Sequence, residues 1–224
     1  MIYLGIFVIE FLLLFLFSRT LTRSISQIIY KTTRSQKTTI NLISLLFFPG
    51  IVIHELSHLL MASVLFVRVG ELDFLPKIEG NEVKLGSVSI GKTDPFRRAL
   101  IGTAPFLFGL PLMIVLLTYL FPGPASIGLE PLKIALALYI VFEIGNTMYS
   151  SRKDLEGLLE LALAVFIVGL ILHFLGFSLP FQEIQNFVDQ NLASTLKLLN
   201  FFLLIPLAID VGIIILTKIA IEAT

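Results

Sequence analysis

The chain has 224 residues, of which 56% are hydrophobic and 14% charged, with a mean hydropathy of +0.95. This composition excludes an ordinary soluble domain and indicates an integral, multi-pass membrane protein, in the cell membrane if the source is prokaryotic. The formal net charge is zero and the basic residues fall in short clusters, so no nucleic-acid partner is expected. No cysteine is present, which excludes disulfides and thiolate metal ligands.

Apolar runs predict six transmembrane helices, most of them near the roughly 20 residues that cross a bilayer. In chain order they cover about residues 2–17, 40–67, 100–121, 132–148, 158–174 and 196–218. The expected fold class is an all-α polytopic membrane protein with one membrane domain over residues 1–224. Loop charges differ little between the two orientations and slightly favour a cytoplasmic N-terminus.

The second segment carries His54, Glu55 and His58 in the run FFPGIVIHELSHLLM, residues 47–61. Residues four apart on a helix share a face, so both imidazoles can bind one metal ion. Glu55, about 100° round the helix, can reach water at that metal without being a ligand. Zinc proteases use this arrangement of two His ligands and a carboxylate acting as general base. A role as hydrogen-bonding groups alone is the weaker alternative, because these groups are costly in hydrocarbon unless a charge compensates.

Pro49-Gly50 lies one turn before His54. Proline removes a backbone donor, so a local break in the helix is expected there. Inside a membrane the freed backbone groups need other partners.

The polar stretch 68–98 is predicted to be β structure rather than helix. Gly and Pro punctuate it, and apolar residues recur at short period between positions 83 and 90. With Glu79-Gly80-Asn81 as the turn, the expected form is a small β-hairpin inserted after the metal-binding helix.

A catalytic zinc usually has three protein ligands and a water, so one ligand is missing. The candidates are carboxylates in or near membrane segments: Glu10, Glu143, Asp154, Glu156, Glu160 and Asp210. Glu143 and Asp210 are functional candidates because they lie within apolar segments, and a structural partner such as a Ser or backbone group explains them equally well. His173, alone in LILHFLG, is more often a packing or hydrogen-bonding residue.

The HELSH motif, together with Asn146 and Asp154 in a later segment, resembles the site-2 protease family of intramembrane zinc metalloproteases. That family's second motif is Asn-x-x-Pro-x-x-x-Leu-Asp-Gly, and Asn146 and Asp154 match its spacing. Three positions depart from it: Tyr149 stands for Pro, Lys153 for Leu and Leu155 for Gly. The resemblance implies Zn²⁺ as cofactor, Asp154 as third ligand and Asn146 as a substrate-binding residue.

The resemblance covers about residues 40–160. It divides the domain into a first helix and basic loop (1–39), a catalytic core (40–160) with its hairpin (68–98), and accessory helices (161–224). Two alternatives stay open within the core. Ser151-x-x-Asp154 is a capping-box pattern, so Asp154 can instead satisfy backbone donors at the start of the fifth segment. Asn146 can simply be a polar residue that closes a membrane helix.

The expected function is a zinc-dependent intramembrane endopeptidase whose partners are membrane-protein substrates and the lipid bilayer. For this activity, an exposed edge of the hairpin can hold an extended substrate peptide by main-chain hydrogen bonds. The alternative is a metal-binding membrane protein without peptidase activity, either chaperone-like or a transporter whose ionisable residues line an ion path.

Overall fold

The computed structural model describes residues 1–79, 82–120, 131–148, 152–177 and 181–222. Its description excludes the side chains of residues 78, 79, 82, 119, 120, 152–159, 161, 181 and 184. The helices are α1 (Ile2–Thr33), α2 (Gln36–Leu46), α3 (Phe48–Val64), α4 (Pro95–Gly102), α5 (Ala104–Leu120), α6 (Pro131–Thr147), α7 (Arg152–Phe174), α8 (Phe181–Phe187) and α9 (Ala193–Glu222), with a π-helical turn, Val188–Leu192, before α9. The strands are β1 (Val69–Asp73), β2 (Lys77–Glu79), β3 (Glu82–Lys84) and β4 (Ser87–Ile90). The protein is mostly helical with a small β element after α3, as predicted.

Fewer helices can cross a membrane than the six apolar runs predicted. Among the described residues, three helical stretches are long and apolar enough: Ile2–Thr33, Pro95–Thr118 and Gln185–Glu222. A fourth is added if α2 and α3, which meet at 71°, form one broken span. The described residues thus give three or four candidate spans, fewer than the six predicted.

Length explains part of this difference. α6 has 17 residues, fewer than the roughly 20 that cross a bilayer. Its second half is buried from Val141 to Thr147, whereas Leu132 and Leu136 in its first half are exposed. Within the described side chains, α7 contributes the shorter apolar stretch Ala162–Phe174.

The first helix is longer than the sequence predicted. The predicted span ended near Phe17, but α1 continues as one helix of 32 residues, about 48 Å at 1.5 Å per residue. This exceeds the ~30 Å hydrocarbon core of a bilayer. The basic part of the predicted first loop is therefore helical as far as Thr33, and it packs along α9.

The main hydrophobic core lies between α1, α5, α6 and α9. Its buried members are Leu14, Leu110, Met113, Leu117, Val141, Ile144, Met148, Leu199, Phe202, Leu203 and Leu207. α6 contacts α1, α3, α5 and α9, so it is the helix around which this part of the structure packs. It also carries three buried polar residues, Glu143, Asn146 and Thr147, into the interior.

The predicted break in the second segment lies at Phe47, between α2 and α3. The Gly50 N–H, in the first turn of α3, donates to Glu143 Oε2 at 3.1 Å. The Tyr139 hydroxyl donates to the Leu46 carbonyl, at the end of α2, at 2.5 Å. Tyr139 and Glu143 are one turn apart on α6, so this helix supplies partners to both sides of the break. The expectation that the break needs outside partners is confirmed, and Glu143 has a backbone group as one of its partners.

The predicted hairpin is also confirmed. β2 and β3 pair antiparallel with Glu79 opposite Glu82, so their turn falls at positions 80–81, which lie outside the described residues. β1 and β4 form a second antiparallel pair, with Val69 opposite Ile90 and Asp73 opposite Ser87. The segment between α3 and α4 is thus one long hairpin whose two ladders are separated near Gly86.

We expect Gly50→Ala to destabilise the protein. A Cβ there would lie 2.6 Å from Thr147 Cγ2 and 2.9 Å from the Glu143 carbonyl oxygen. Overpacking of this kind lowers the free energy of unfolding by about 1–3 kcal/mol. This loss exceeds the stabilisation that alanine provides through its higher helix propensity. The measurement is thermal unfolding of the purified protein in detergent.

Gly212→Ala is the matched control, because a Cβ at this helical glycine meets nothing within 4 Å. It should be neutral or stabilise the protein by up to ~1 kcal/mol. Equal unfolding temperatures for the two variants would contradict the close contact of α3 with α6.

Candidate metal centre

α3 brings His54 and His58 together as the sequence predicted. Their Nε2 atoms are 3.1 Å apart, the rings are nearly perpendicular at 82°, and both side chains are buried. Two nitrogens that each lie ~2.0–2.1 Å from one tetrahedral zinc are separated by about 3.3 Å. The observed distance therefore fits a shared zinc ion without any change in the backbone of α3.

The tautomer of His58 is set by a neighbouring helix. Its Nδ1 lies 2.7 Å from the carbonyl oxygen of Ile101 on α4, and because that oxygen only accepts, Nδ1–H is the donor. In the neutral ring the Nε2 lone pair then points to His54. Metal-bound imidazoles commonly donate their second N–H to a carbonyl in this way. The same distance also fits a direct hydrogen bond from His54 Nε2–H to His58 Nε2. A bound metal ion would replace this hydrogen bond.

Glu55 is buried beneath the hairpin. A Cβ built on Gly86 would lie 3.1 Å from Glu55 Cγ and Oε1 and 2.6 Å from Ile51 Cγ2. The backbone between β3 and β4 therefore passes directly against the side chain expected to act as general base. The sequence analysis missed this contact, although a glycine between two strands often marks the close approach of another part of the chain.

The surroundings of His54 are mostly apolar. A small space beside it is bordered by α3, α5 and α6 through Ile53, Pro105, Ile144, Thr147 and Met148. The only hydroxyl among these side chains, on Thr147, donates to the Glu143 carbonyl at 2.8 Å. This wall restricts the access of water to His54 from the side of α6.

Asn146 lies on another face of α6. Its Nδ2 donates to Asp210 Oδ1 on α9 at 2.8 Å and to the Phe142 carbonyl at 3.0 Å. Ser18 on α1 donates to the backbone carbonyl of Asn146 at 2.8 Å. The described contacts thus connect Asn146 to α1 and α9, whereas other residues of α6 border His54. Its role in substrate binding stays a prediction, and Asp210 has a structural partner in the Asn146 amide.

Asp154 is on α7, and its side chain lies outside the described ones. α7 begins at Arg152, which makes Asp154 its third residue, the position that the capping-box hypothesis requires. α7 also contacts α4, the helix whose Ile101 carbonyl accepts from His58. The metal-ligand and helix-cap hypotheses for Asp154 therefore both stay open.

The other proposed ligands do not complete the site. Among the described side chains, no group of three His, Asp or Glu residues that could hold a metal ion is found. This covers Glu10, Glu143 and Asp210, which are buried, and Glu160 and His173, which are exposed. His173 contacts the ring of Phe174. Two carboxylate candidates are left, Asp154 and Glu156 on α7. Their side chains are outside the described ones, and the two residues lie within one helical turn of each other.

We expect purified wild-type protein to contain about one zinc per chain, measured by elemental analysis. His54→Ala and His58→Ala should each remove most of it, and Asp154→Ala should lower it if this carboxylate is the third ligand. His173→Ala is the matched control and should leave the zinc content unchanged. Zinc-free wild-type protein would contradict the site, and full zinc content in Asp154→Ala would assign Asp154 to the helix cap.

Comparisons with known proteins do not identify a family for this chain. No protein-family model, no curated protein and no solved structure matches the chain. What the centre does is therefore inferred from its own residues, the His54–His58 pair and the adjacent Glu55.

Proposed function

We propose that this protein is a zinc-dependent intramembrane endopeptidase that hydrolyses peptide bonds in or near the transmembrane segments of other membrane proteins. The proposal rests on one observation above all. His54 Nε2 and His58 Nε2 lie 3.1 Å apart on a helix whose next residue after His54 is the buried Glu55. Two imidazoles and a carboxylate in this order have the chemistry of a metal-assisted hydrolase.

Each side chain has a defined task in the proposed reaction. His54, His58 and Asp154 would hold a zinc ion, which would supply Lewis-acid activation of water and of the scissile carbonyl. Glu55 takes the proton from the attacking water and returns it to the departing amine. The Ile101 carbonyl keeps His58 in the tautomer whose Nε2 carries the lone pair that a metal ion would bind. The low polarity around His54 strengthens the electrostatic interactions among these groups.

The substrate must be extended before it can react, because every backbone group of an intact transmembrane helix is already hydrogen-bonded. In the described part of the chain, β1 and β4 pair only with each other, so each strand has an unpaired edge. An extended peptide can add to such an edge through main-chain hydrogen bonds. Because Gly86, directly before β4, lies against Glu55, a peptide added to this sheet would pass close to the general base.

Glu55→Gln tests the proposal. The amide keeps the shape of the side chain but cannot accept the proton, so we expect hydrolysis to fall by at least a factor of ~100 while zinc stays bound. The measurement is cleavage of a panel of single-span membrane proteins in reconstituted bilayers, with zinc content determined on the same preparations. Zinc-loaded wild-type protein that cleaves none of them, or equal cleavage by both proteins, would favour a metal-binding protein without peptidase activity.

Gly86→Ala tests the contact between the hairpin and Glu55. The added methyl group must displace Ile51 or the Glu55 side chain, and a displacement of about 1 Å at a catalytic group can reduce the rate by up to ~100-fold. We expect kcat to fall at unchanged zinc content.

Gly70→Ala, in the same sheet, is the matched control, because its Cβ would meet Ser89 at 3.1 Å and not Glu55. It should keep the wild-type kcat. An equal reduction in both variants would attribute the effect to general damage to the sheet.

A further inference from the structure

A basic pocket lies at the C-terminal end of α3. Its walls come from the turn after α3 and the loop between β4 and α4, and include Phe66, Arg68, Lys92, Thr93 and Arg97. α3 ends at Val64, and the apolar stretch Pro95–Thr118 begins on the other side of the pocket. α2 with α3, and Pro95–Thr118, are both candidate membrane spans, and both end here. We therefore place the opening of the pocket at the level of the lipid headgroups.

The pocket carries excess positive charge. Arg97 Nε pairs with Asp94 Oδ2 at 3.4 Å, and the Arg97 backbone N–H donates to Asp94 Oδ1 at 3.0 Å. This backbone hydrogen bond holds the pKa of Asp94 below its ordinary value, so the carboxylate stays ionised beside Arg97. In the described part of the chain Arg68 and Lys92 have no carboxylate within ion-pair distance. These two cations are available to an anion from outside.

The turn after α3 has an unusual residue at its tightest point. The Val67 N–H donates to the Ala62 carbonyl at 2.8 Å and the Phe66 N–H to the Ser63 carbonyl at 3.1 Å, which is the Schellman pattern of helix termination. Its left-handed position is normally a glycine, but here it is Phe66, with φ 55°. The ring is 92% exposed, so packing within the chain does not offset the strain of the backbone.

An apolar medium would make the exposure of the Phe66 ring favourable. A phenyl ring at the end of a membrane span is favourable when it lies among acyl chains just below the headgroups. Phe96, at the start of the next span, is 60% exposed and can do the same. Two exposed aromatic rings therefore flank two unpaired cations, a combination suited to a molecule with an anionic head and apolar tails.

We propose that this pocket is a binding site for the phosphate group of an anionic phospholipid, held by Arg68 and Lys92, with Phe66 among its acyl chains. The assignment does not depend on the peptidase proposal. It favours a lipid over free phosphate because the aromatic rings have no function toward a small hydrophilic anion.

The test uses the full-length protein in phosphatidylcholine nanodiscs and micelles. Short-chain phosphatidylglycerol should bind saturably, seen as retained lipid in native mass spectra and as a rise in unfolding temperature. Arg68→Gln combined with Lys92→Gln should weaken this binding roughly thirtyfold, since each cation near an anionic lipid surface contributes about fivefold. Lys197→Gln with Lys218→Gln removes the same charge elsewhere and should bind like the wild type.

Two further arms separate the lipid from its alternatives. Phe66→Gly should unfold at the wild-type temperature or higher without added lipid, because glycine suits the left-handed position, yet bind phosphatidylglycerol more weakly. Inorganic phosphate should not raise the unfolding temperature. The proposal is overturned if the Arg68 and Lys92 double variant binds like its control, if Phe66→Gly binds like the wild type, or if inorganic phosphate stabilises the protein as much as the lipid does.

Discussion

Backbone groups released at a helix break must find partners inside the protein when water is absent, and this requirement governs the centre of the molecule. At Phe47 the chain turns by 71° between α2 and α3. Glu143 accepts from the Gly50 N–H and Tyr139 donates to the Leu46 carbonyl, so α6 closes the gap on both sides. The bend leaves α3 anchored to α6 at its start and to α4 at its end. The His pair lies between these two anchors, which is why its geometry depends on helices distant in the sequence.

α6 contacts several neighbouring helices at once through its polar side chains. One face reaches the break through Glu143 and borders His54 through Thr147. Another face binds α9 through the Asn146–Asp210 hydrogen bond. Polar side chains are costly in an apolar interior unless they are hydrogen-bonded, so each of these contacts also fixes the distance and rotation of a helix. The peptidase chemistry proposed for α3 is thus supported by a helix that is not itself proposed to bind the metal.

The sequence predicts the local features of this structure better than the long-range ones. The placement of His54 and His58 on one face, the break near Pro49-Gly50 and the hairpin all follow from helical period or turn chemistry within a few residues. The described residues have fewer candidate spans than the six predicted, because hydropathy marks an apolar run such as that of α6 without giving the length of the helix that it forms. The partners of His58, Glu55 and Asn146 come from positions far along the chain, and no spacing rule identifies them.

The basic pocket and the His58 hydrogen bond are linked through a small apolar cluster at the C-terminal end of α3. Ala62, Val67 and Ile101 are buried together where the Schellman turn meets α4. The Ile101 carbonyl accepts from His58 Nδ1, while Val67 is part of the pocket wall. Any rotation of α4 against α3 therefore changes the pocket and the hydrogen bond that orients His58 together. A lipid held between Arg68 and Lys92 would restrain this same contact, because it joins the turn after α3 to the loop before α4.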